Sequence, residues 1–334
     1  MSLLKWRFFN VALLLAMAVA MPGVINAQTP MNEIPLGGAG GGGAQTMSFG
    51  GSLLGGEEGS SSLTTSSNGP EAAAFDGTYV WVATQFNNSV TRIRASDGMV
   101  SGTFTVGQRP VALLYAASAV WVANYLDNTV MKLSPSTGAI LGTYTVGDGP
   151  GGLASDGTNI WVTNRNSNNV TKLSAKGATL GTFAVGKRPI GLAFAANSMF
   201  VACNRSNSVT RLSTSGAVLG TYAVGKGPFG VAVQGTSVWV TNFWGDSVTK
   251  LRASDGLNLG TFAVGDGAAG IAFDGTNMWI VNHGNDSLVK LSPSSGTVIA
   301  TYLTGKGPFA VAIGGSKVWV PNFSTNSVST TAAN

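Results

Sequence analysis

A repeat of about 40 residues runs through most of the chain, and it constrains the fold more than any other feature. An aromatic residue recurs at intervals of 40, 40, 39, 39, 40 and 40 residues. The residues of this aromatic column are Trp81, Trp121, Trp161, Phe200, Trp239, Trp279 and Trp319. The position eleven residues earlier is proline in six of the seven repeats: Pro70, Pro110, Pro150, Pro189, Pro228, Ala268 and Pro308. Such a period indicates one structural unit built seven times.

Each repeat contains four short runs typical of β-strands, separated by Gly, Asn, Asp and Ser, and none has a helical period. In the third repeat these runs are 151–154, 159–163, 170–173 and 181–185. The pair Asp156-Gly157 is a two-residue turn of the kind that joins antiparallel strands. Units of about 40 residues with four strands are typical of propeller blades. The sequence therefore predicts an all-β, seven-bladed β-propeller of four-stranded antiparallel blades.

The second and fourth positions after the proline column are small in most repeats, as with Gly152 and Ala154 or Gly191 and Ala193. Strands that crowd around a common axis have room only for such residues, so this strand should be the innermost of each blade. The large aromatic column should fill the wider space farther out.

The last repeat ends soon after its third strand, so an outermost strand is missing from the seventh blade. We expect the segment 61–66 to pair there, which would complete the last blade and close the ring with an N-terminal strand. The expected organisation is a signal peptide at 1–27, a Gly-rich flexible leader at 28–58, and the propeller at 59–334.

The first residues are typical of an export signal. Lys5 and Arg7 precede an apolar run at 8–21, and Ala27 provides a small residue at the expected cleavage site. We therefore expect a secreted, periplasmic or cell-surface protein that keeps no membrane span once the signal is removed.

The formal net charge of +5 could suggest nucleic-acid binding. However, six repeats carry a cation at one position of the third strand, which spreads charge around the perimeter instead of concentrating it on one face: Arg92, Lys132, Lys172, Arg211, Lys250 and Lys290. We expect a solvated outer edge whose aliphatic stems cover apolar surface, and no nucleic-acid partner.

One face of the propeller departs from the repeat. The loop before the proline and the loop after the aromatic column's strand should emerge on the same face. The fourth position after the aromatic column varies along the chain: Gln85, Tyr125, Arg165, Asn204, Phe243, His283 and Phe323. Positions that packing does not dictate, with aromatic groups near cations, favour recognition of a ligand. The alternative is that these aromatic side chains cover the loops and one another. The residues expected to bind it are Tyr125, Arg165, Arg188, Arg205, Phe229, Phe243, Trp244, Phe309 and Phe323.

The fragments Trp161-Val162-Thr163-Asn164 and Trp239-Val240-Thr241-Asn242, each followed by Val-Thr-Lys-Leu, resemble the YVTN-type repeat of surface and periplasmic propellers. The span from about 61 to 334 is also similar to the NHL and virginiamycin B lyase group. These resemblances imply the propeller fold, and functions that range from adhesion and protein interaction to metal-dependent lyase chemistry.

The lyase resemblance implies histidine and glutamate side chains with a magnesium ion on one face. This chain has one histidine, His283, and no glutamate after Glu71. The candidate metal ligands are Asp246 and Asp286, which occupy a column that is asparagine in the other repeats. The simpler interpretation of that column is a loop stabilised by hydrogen bonds to its own backbone.

Three functions are consistent with these observations, and the third of them is a purely structural repeat in a surface layer, which would self-assemble. The first is an exported binding or surface-interaction module, expected to be a monomer without a cofactor, whose partner is a protein, peptide or glycan. The second is a virginiamycin B lyase-like enzyme, a lyase or hydrolase that would use His283 as a general acid or base and Mg²⁺ or Ca²⁺ near the two aspartates.

Overall fold

The structure is a computed structural model that describes residues 29–36 and 69–333. The described chain is almost entirely β-structure, with one 3-10 helix at Asn204–Ser206. None of its helices has the length and hydropathy needed to cross a membrane. Two short strands, β1 (Thr29–Pro30) and β2 (Asn32–Pro35), precede the repeats.

The first six blades each take their four antiparallel strands consecutively from the chain. In every blade the first strand is the innermost, lining the central cavity. Blade 1 comprises β3 (Pro70–Phe75), β4 (Tyr79–Thr84), β5 (Ser89–Arg94) and β6 (Val100–Thr105). Blade 2 comprises β7 (Pro110–Ala116), β8 (Ala119–Asn124), β9 (Thr129–Leu133) and β10 (Ile140–Thr145). Blade 3 comprises β11 (Pro150–Ser155), β12 (Asn159–Asn164), β13 (Asn169–Ser174) and β14 (Thr179–Ala184).

The next three blades repeat this order. Blade 4 comprises β15 (Pro189–Ala195), β16 (Ser198–Cys203), β17 (Ser208–Ser213) and β18 (Val218–Ala223). Blade 5 comprises β19 (Pro228–Gln234), β20 (Ser237–Asn242), β21 (Ser247–Arg252) and β22 (Asn258–Ala263). Blade 6 comprises β23 (Ala268–Phe273), β24 (Met278–Asn282), β25 (Ser287–Leu291) and β26 (Val298–Leu303). The predicted seven-bladed β-propeller is confirmed.

The seventh blade joins the two ends of the chain. Its inner strands are β27 (Ala312–Gly314), β28 (Lys317–Asn322) and β29 (Ser327–Ala332), and β2 pairs antiparallel with β29 as the outermost strand. An N-terminal strand therefore completes the last blade, as predicted. The segment differs from the prediction, because β2 takes the place expected for 61–66, which lies outside the described residues.

Apolar packing accounts for the choice of β2. Ile34 packs against the interface between blades 7 and 1, and Leu36 is buried there among Val80, Val82 and Trp319. The segment 61–66 offers a single aliphatic residue in a run of Ser and Thr.

β1 also pairs, in parallel, with β26, so blade 6 has a fifth strand. Part of the range expected as a flexible leader thus belongs to the sheets, and the boundary predicted at 59 lies outside the described residues.

The core lies between adjacent blades, where every residue of the aromatic column is fully buried. Trp121, for example, packs with Val130 of its own blade and with Ile160 and Leu173 of the next. Nearer the axis the backbones approach closely: a Cβ atom on Gly152 would lie 2.2 Å from the carbonyl oxygen of Ile190 in the next blade. The small residues of the innermost strands are therefore a steric requirement of the ring.

The cation column does more than cover the rim. The Nζ atom of Lys172 lies 4.9 Å from the ring centroid of Trp161 and donates a hydrogen bond of 2.7 Å to the carbonyl oxygen of Thr214 in the next blade. Lys132 makes the same pair of contacts with Trp121 and Ala175. The expected solvated edge is instead a set of half-buried cations that connect neighbouring blades.

Candidate ligand-binding face

Two sets of loops form one face of the ring, which we call the variable face: those joining the second and third strands of each blade, and those leading into the next inner strand. Asparagines of one column hold the two sets together. Asn128 has a φ of 56°, and its Oδ1 accepts a 2.9 Å hydrogen bond from the N–H of Gly149. Asn168 likewise accepts from the N–H of Arg188 at 2.8 Å. The face is thereby a preformed platform.

Asp246 and Asp286 belong to this same column. The Oδ1 atom of Asp246 accepts from the N–H of Gly267 at 3.0 Å, and that of Asp286 accepts from the N–H of Gly307 at 2.8 Å. Within residues 29–36 and 69–333 no three His, Cys, Asp or Glu side chains lie close enough together to hold a metal ion. The residues present therefore do not fit the magnesium site that the lyase resemblance implies.

A cavity of about 220 Å³ opens at the centre of the face, on the propeller axis. Its rim is formed by the residues that directly follow the proline column, which differ from blade to blade. These include Glu71, Val111, Gly151, Ile190, Phe229 and Phe309. The cavity therefore has a different side chain on each side, although the strands beneath it are equivalent.

One side of the cavity is aromatic. The six rings that we call the aromatic arc follow one another across blades 5, 6, 7 and 1: Phe229, Phe243, His283, Phe309, Phe323 and Phe86. The closest pair is His283 and Phe309, which stack with ring centroids 4.0 Å apart. Phe229 also stacks on Phe309, at 6.2 Å. Phe229 and Phe309 line the cavity, and the contacts among the six rings extend this apolar surface over the neighbouring loops.

The opposite side is polar, and its residues form what we call the charged arc: Glu71, Arg109, Tyr125, Arg165 and Arg188. The guanidinium carbon of Arg109 lies 4.9 Å from the ring centroid of Tyr125, and that of Arg165 lies 5.6 Å from it. The Nε atom of Arg109 donates to Oε1 of Gln85 at 2.8 Å. Glu71 interacts electrostatically with Arg165 and Arg109, and Arg188 lies close enough to Arg165 to act on it. Three guanidinium groups and one carboxylate leave this side with excess positive charge.

Gly151 makes room for Arg165 at the axis. A Cβ atom on Gly151 would lie 2.1 Å from the Nε atom of Arg165, so any larger residue would displace the arginine. The Nη2 atom of Arg165 donates to the carbonyl oxygen of Gly151 at 3.1 Å, which fixes the side chain against the inner strand. The cation is therefore held in the cavity mouth and not in the surrounding solvent.

Two polar atoms of the charged arc are buried without a hydrogen-bond partner, Oε2 of Glu71 and Nε of Arg165. Burial raises the pKa of Glu71, against the opposing influence of Arg165 and Arg109. Burial likewise lowers the pKa of Arg165, against the influence of Glu71. Buried polar atoms are usually paired, so a ligand that supplied the missing partners would satisfy both atoms.

The structure brings most of the expected binding residues together. Tyr125, Arg165 and Arg188 lie in the charged arc, and the four predicted phenylalanines lie in the aromatic arc. Trp244 lies farther out, over Gly227, with 55% of its surface exposed. Arg205 is exposed in the 3-10 helix and stands apart from the cavity.

Four residues of the face were not predicted to bind: Glu71, Gln85, Phe86 and Arg109. They occupy the same variable loops as the predicted residues, so variation between the repeats at their positions was enough to place them on this face. His283 was a candidate acid or base, and the structure places its ring in the aromatic arc, between Phe243 and Phe309.

Fold and site together define a seven-bladed β-propeller with one differentiated face. Solved structures with this fold include a streptogramin B lyase, which is 18% identical and covers 80% of this chain and 94% of its own, with a TM-score of 0.71. Hydrazine synthase of Kuenenia stuttgartiensis is 17% identical over 83% of this chain and 99% of its own, with a TM-score of 0.73. A catalytically inactive virginiamycin B lyase from Staphylococcus aureus, solved with Quinupristin, is 18% identical over 81% and 97%, with a TM-score of 0.70. At these sequence identities the similarity shows a shared fold and nothing more.

No family model matches the sequence, and no curated protein matches it at a significant level.

Proposed function

We propose that the protein is an exported binding module that recognises a protein, peptide or glycan through the variable face. The observation that supports this is the pairing of an aromatic arc with a charged arc around one cavity, on a scaffold whose other positions repeat. Phe229, Phe243 and Phe309 also pack against the core cluster that contains Trp279 and Val318. Packing favours the same residue type at equivalent positions of every blade, so the variation at these positions supports a role beside packing. Aromatic side chains beside arginines are enriched at the energetic centre of interfaces.

The ordered loops of the variable face also support a binding function. Hydrogen bonds from the asparagine column hold the loops of the variable face before any ligand arrives. A site that is already ordered loses little conformational entropy on binding, so more of the contact energy appears as affinity. The export signal expected at 1–27 supports a site of action in the periplasm, at the cell surface or outside the cell. We propose that the protein acts there as a monomer and without a cofactor.

The test is capture of a partner from native cell-envelope extract by the purified protein. The double variant Phe243→Ala, Phe323→Ala removes two rings of the aromatic arc. The matched control, Met99→Ala with Leu257→Ala, removes two exposed apolar side chains from the opposite face. The wild type and the control should capture the same partner, and the arc variant should lose it. Equal capture by a stably folded arc variant would contradict the proposal.

A further inference from the structure

The charged arc offers a donor and an acceptor that the protein itself leaves unused. Arg165 keeps a buried Nε–H without a partner, and Glu71 keeps a buried Oε2 without one. The positive excess from Arg109 and Arg188 favours a negatively charged group on the ligand. Guanidinium groups pair well with carboxylates because their N–H donors match the two oxygens. The unpaired Oε2 of Glu71 would in turn accept a hydrogen bond from an N–H group on the same ligand.

The cavity limits how large the buried part of that ligand is. Its volume is about 220 Å³. Sites for drug-sized ligands are about 300–1,000 Å³, so this cavity suits a group the size of one side chain. Phe229 and Phe309 line it on the aromatic side, and their stacked rings would pack well against a third ring.

These features converge on one chemistry. We propose that the variable face binds a carboxylate whose neighbouring carbon atoms carry an N–H group and an aromatic side chain, as in the last residue of a peptide that ends in Phe, Tyr or Trp. The carboxylate lies against Arg165, the N–H donates to Glu71, and the aromatic ring lies against Phe309. Capture of a terminal carboxylate is a recurring mode of peptide recognition. This inference rests on the proposed binding function and specifies the ligand at the same face.

The same chemistry has two sources, a free aromatic amino acid and a peptide terminus. Titration calorimetry on the full chain separates them with phenylalanine and with the tripeptide Gly-Gly-Phe. A peptide site binds the tripeptide more tightly, because the residues before the terminus reach the loops around the cavity. Tighter binding of free phenylalanine would assign the site to the amino acid and overturn the peptide assignment.

Three further probes isolate the parts of the ligand. N-acetyl-phenylalanine has all of them, N-acetyl-phenylalaninamide lacks the carboxylate, and N-acetyl-alanine lacks the ring. We expect the last two to bind about tenfold more weakly or worse than the first. In Arg165→Met the preference for acid over amide should disappear, whereas Arg252→Met, an exposed arginine on the opposite face, should keep it. If Arg165→Met does not fold, Arg188→Met at the rim provides the same comparison.

The outcomes distinguish this inference from the function on which it rests. Equal affinity for acid and amide would overturn the carboxylate assignment. If no small probe binds while envelope capture still depends on Phe243 and Phe323, the binding function stands and this ligand class is wrong. If capture fails as well, both are wrong.

Discussion

The imidazole of His283 stacks on the ring of Phe309 with centroids 4.0 Å apart, and its centroid lies 5.8 Å from that of the Phe243 ring. The chain's one histidine is therefore part of an aromatic wall. These contacts favour a packing role for His283, whereas an acid or base needs its nitrogen within hydrogen-bond reach of the reacting group.

Replacement of His283 separates the two roles. His283→Phe keeps the stack and should retain ligand binding, whereas His283→Ala should weaken binding by about three- to tenfold, the contribution of one aromatic pair. Calorimetry or envelope capture measures both variants, with thermal unfolding as the folding control. A catalytic role would show the opposite pattern, since His283→Phe would then abolish turnover as completely as His283→Ala.

Glu71 is expected to lower the stability of the folded protein at neutral pH. Burial raises its pKa, so the folded chain keeps the proton to a higher pH than the unfolded chain does. The free energy of unfolding therefore falls as the pH rises from the unfolded pKa through the folded one. Glu71→Gln removes this pH-dependent loss of stability and should raise the melting temperature at pH 7. The same change should lower the affinity for the ligand proposed above.

Melting curves of the wild type and Glu71→Gln between pH 4 and pH 8 test this expectation. The exposed Glu33 provides the control, since Glu33→Gln should follow the wild type. A constant difference between the wild type and Glu71→Gln across this range would show that Glu71 does not titrate differently in the folded state.

Blade 5 lacks a hydrogen bond that other blades make. The indole N–H of Trp161 donates to Asp156 at 2.8 Å and that of Trp279 donates to Asp274 at 2.6 Å, but the buried Nε1 of Trp239 has no partner. The residue in register with those aspartates is Gln234, followed by the same Gly-Thr pair. Gln234→Asp should therefore supply the acceptor and raise the free energy of unfolding by about 1 kcal/mol.

Chemical denaturation compares this variant with Gln234→Ala, which supplies no acceptor and should show no gain. Asp156→Ala is the reciprocal change, and it should cost about 1–3 kcal/mol because it leaves the Trp161 indole unpaired. If Gln234→Asp is no more stable than Gln234→Ala, the turn of blade 5 cannot adopt the geometry of blades 3 and 6.

The N-terminal strand should contribute strongly to stability. Leu36 is 2% exposed between blades 7 and 1, so Leu36→Ala should cost about 2 kcal/mol or more in unfolding free energy. Glu33→Ala on the exposed side of β2 should change it by less than about 0.5 kcal/mol. Equal stabilities of the two variants would show that another segment closes the ring.

The sequence was sufficient to predict the blades, because one repeat encodes most of each blade and each blade packs only against its neighbours. The proline column begins the inner strands, and the tryptophan column fills the space between blades. The closing strand was harder to find. β2 carries few apolar residues, and its pairing spans a separation of 290 residues between Leu36 and Asn326, which no local pattern reveals.

The variable face was predictable as a region and less so in its details. Variation within a strict repeat predicted which loops share one face of the ring. Which side chains reach the axis depends on neighbours in space: Arg165 reaches it because Gly151 has no side chain, and Phe86 joins the arc because ring closure brings it to Phe323. Those contacts join residues that are distant in sequence or on different strands, so a column alone does not reveal them.

The pairing of β1 with β26 and of β2 with β29 has a consequence for how the chain is made. Both partners of the N-terminal segment lie far later in the sequence, so that segment is synthesised long before the strands with which it pairs. Until then the blades have an open edge and an uncovered interface, which are the features that invite association between nascent chains. Completion of the ring therefore waits for β26 and β29, and we expect this long-range pairing to be a late and slow step of folding.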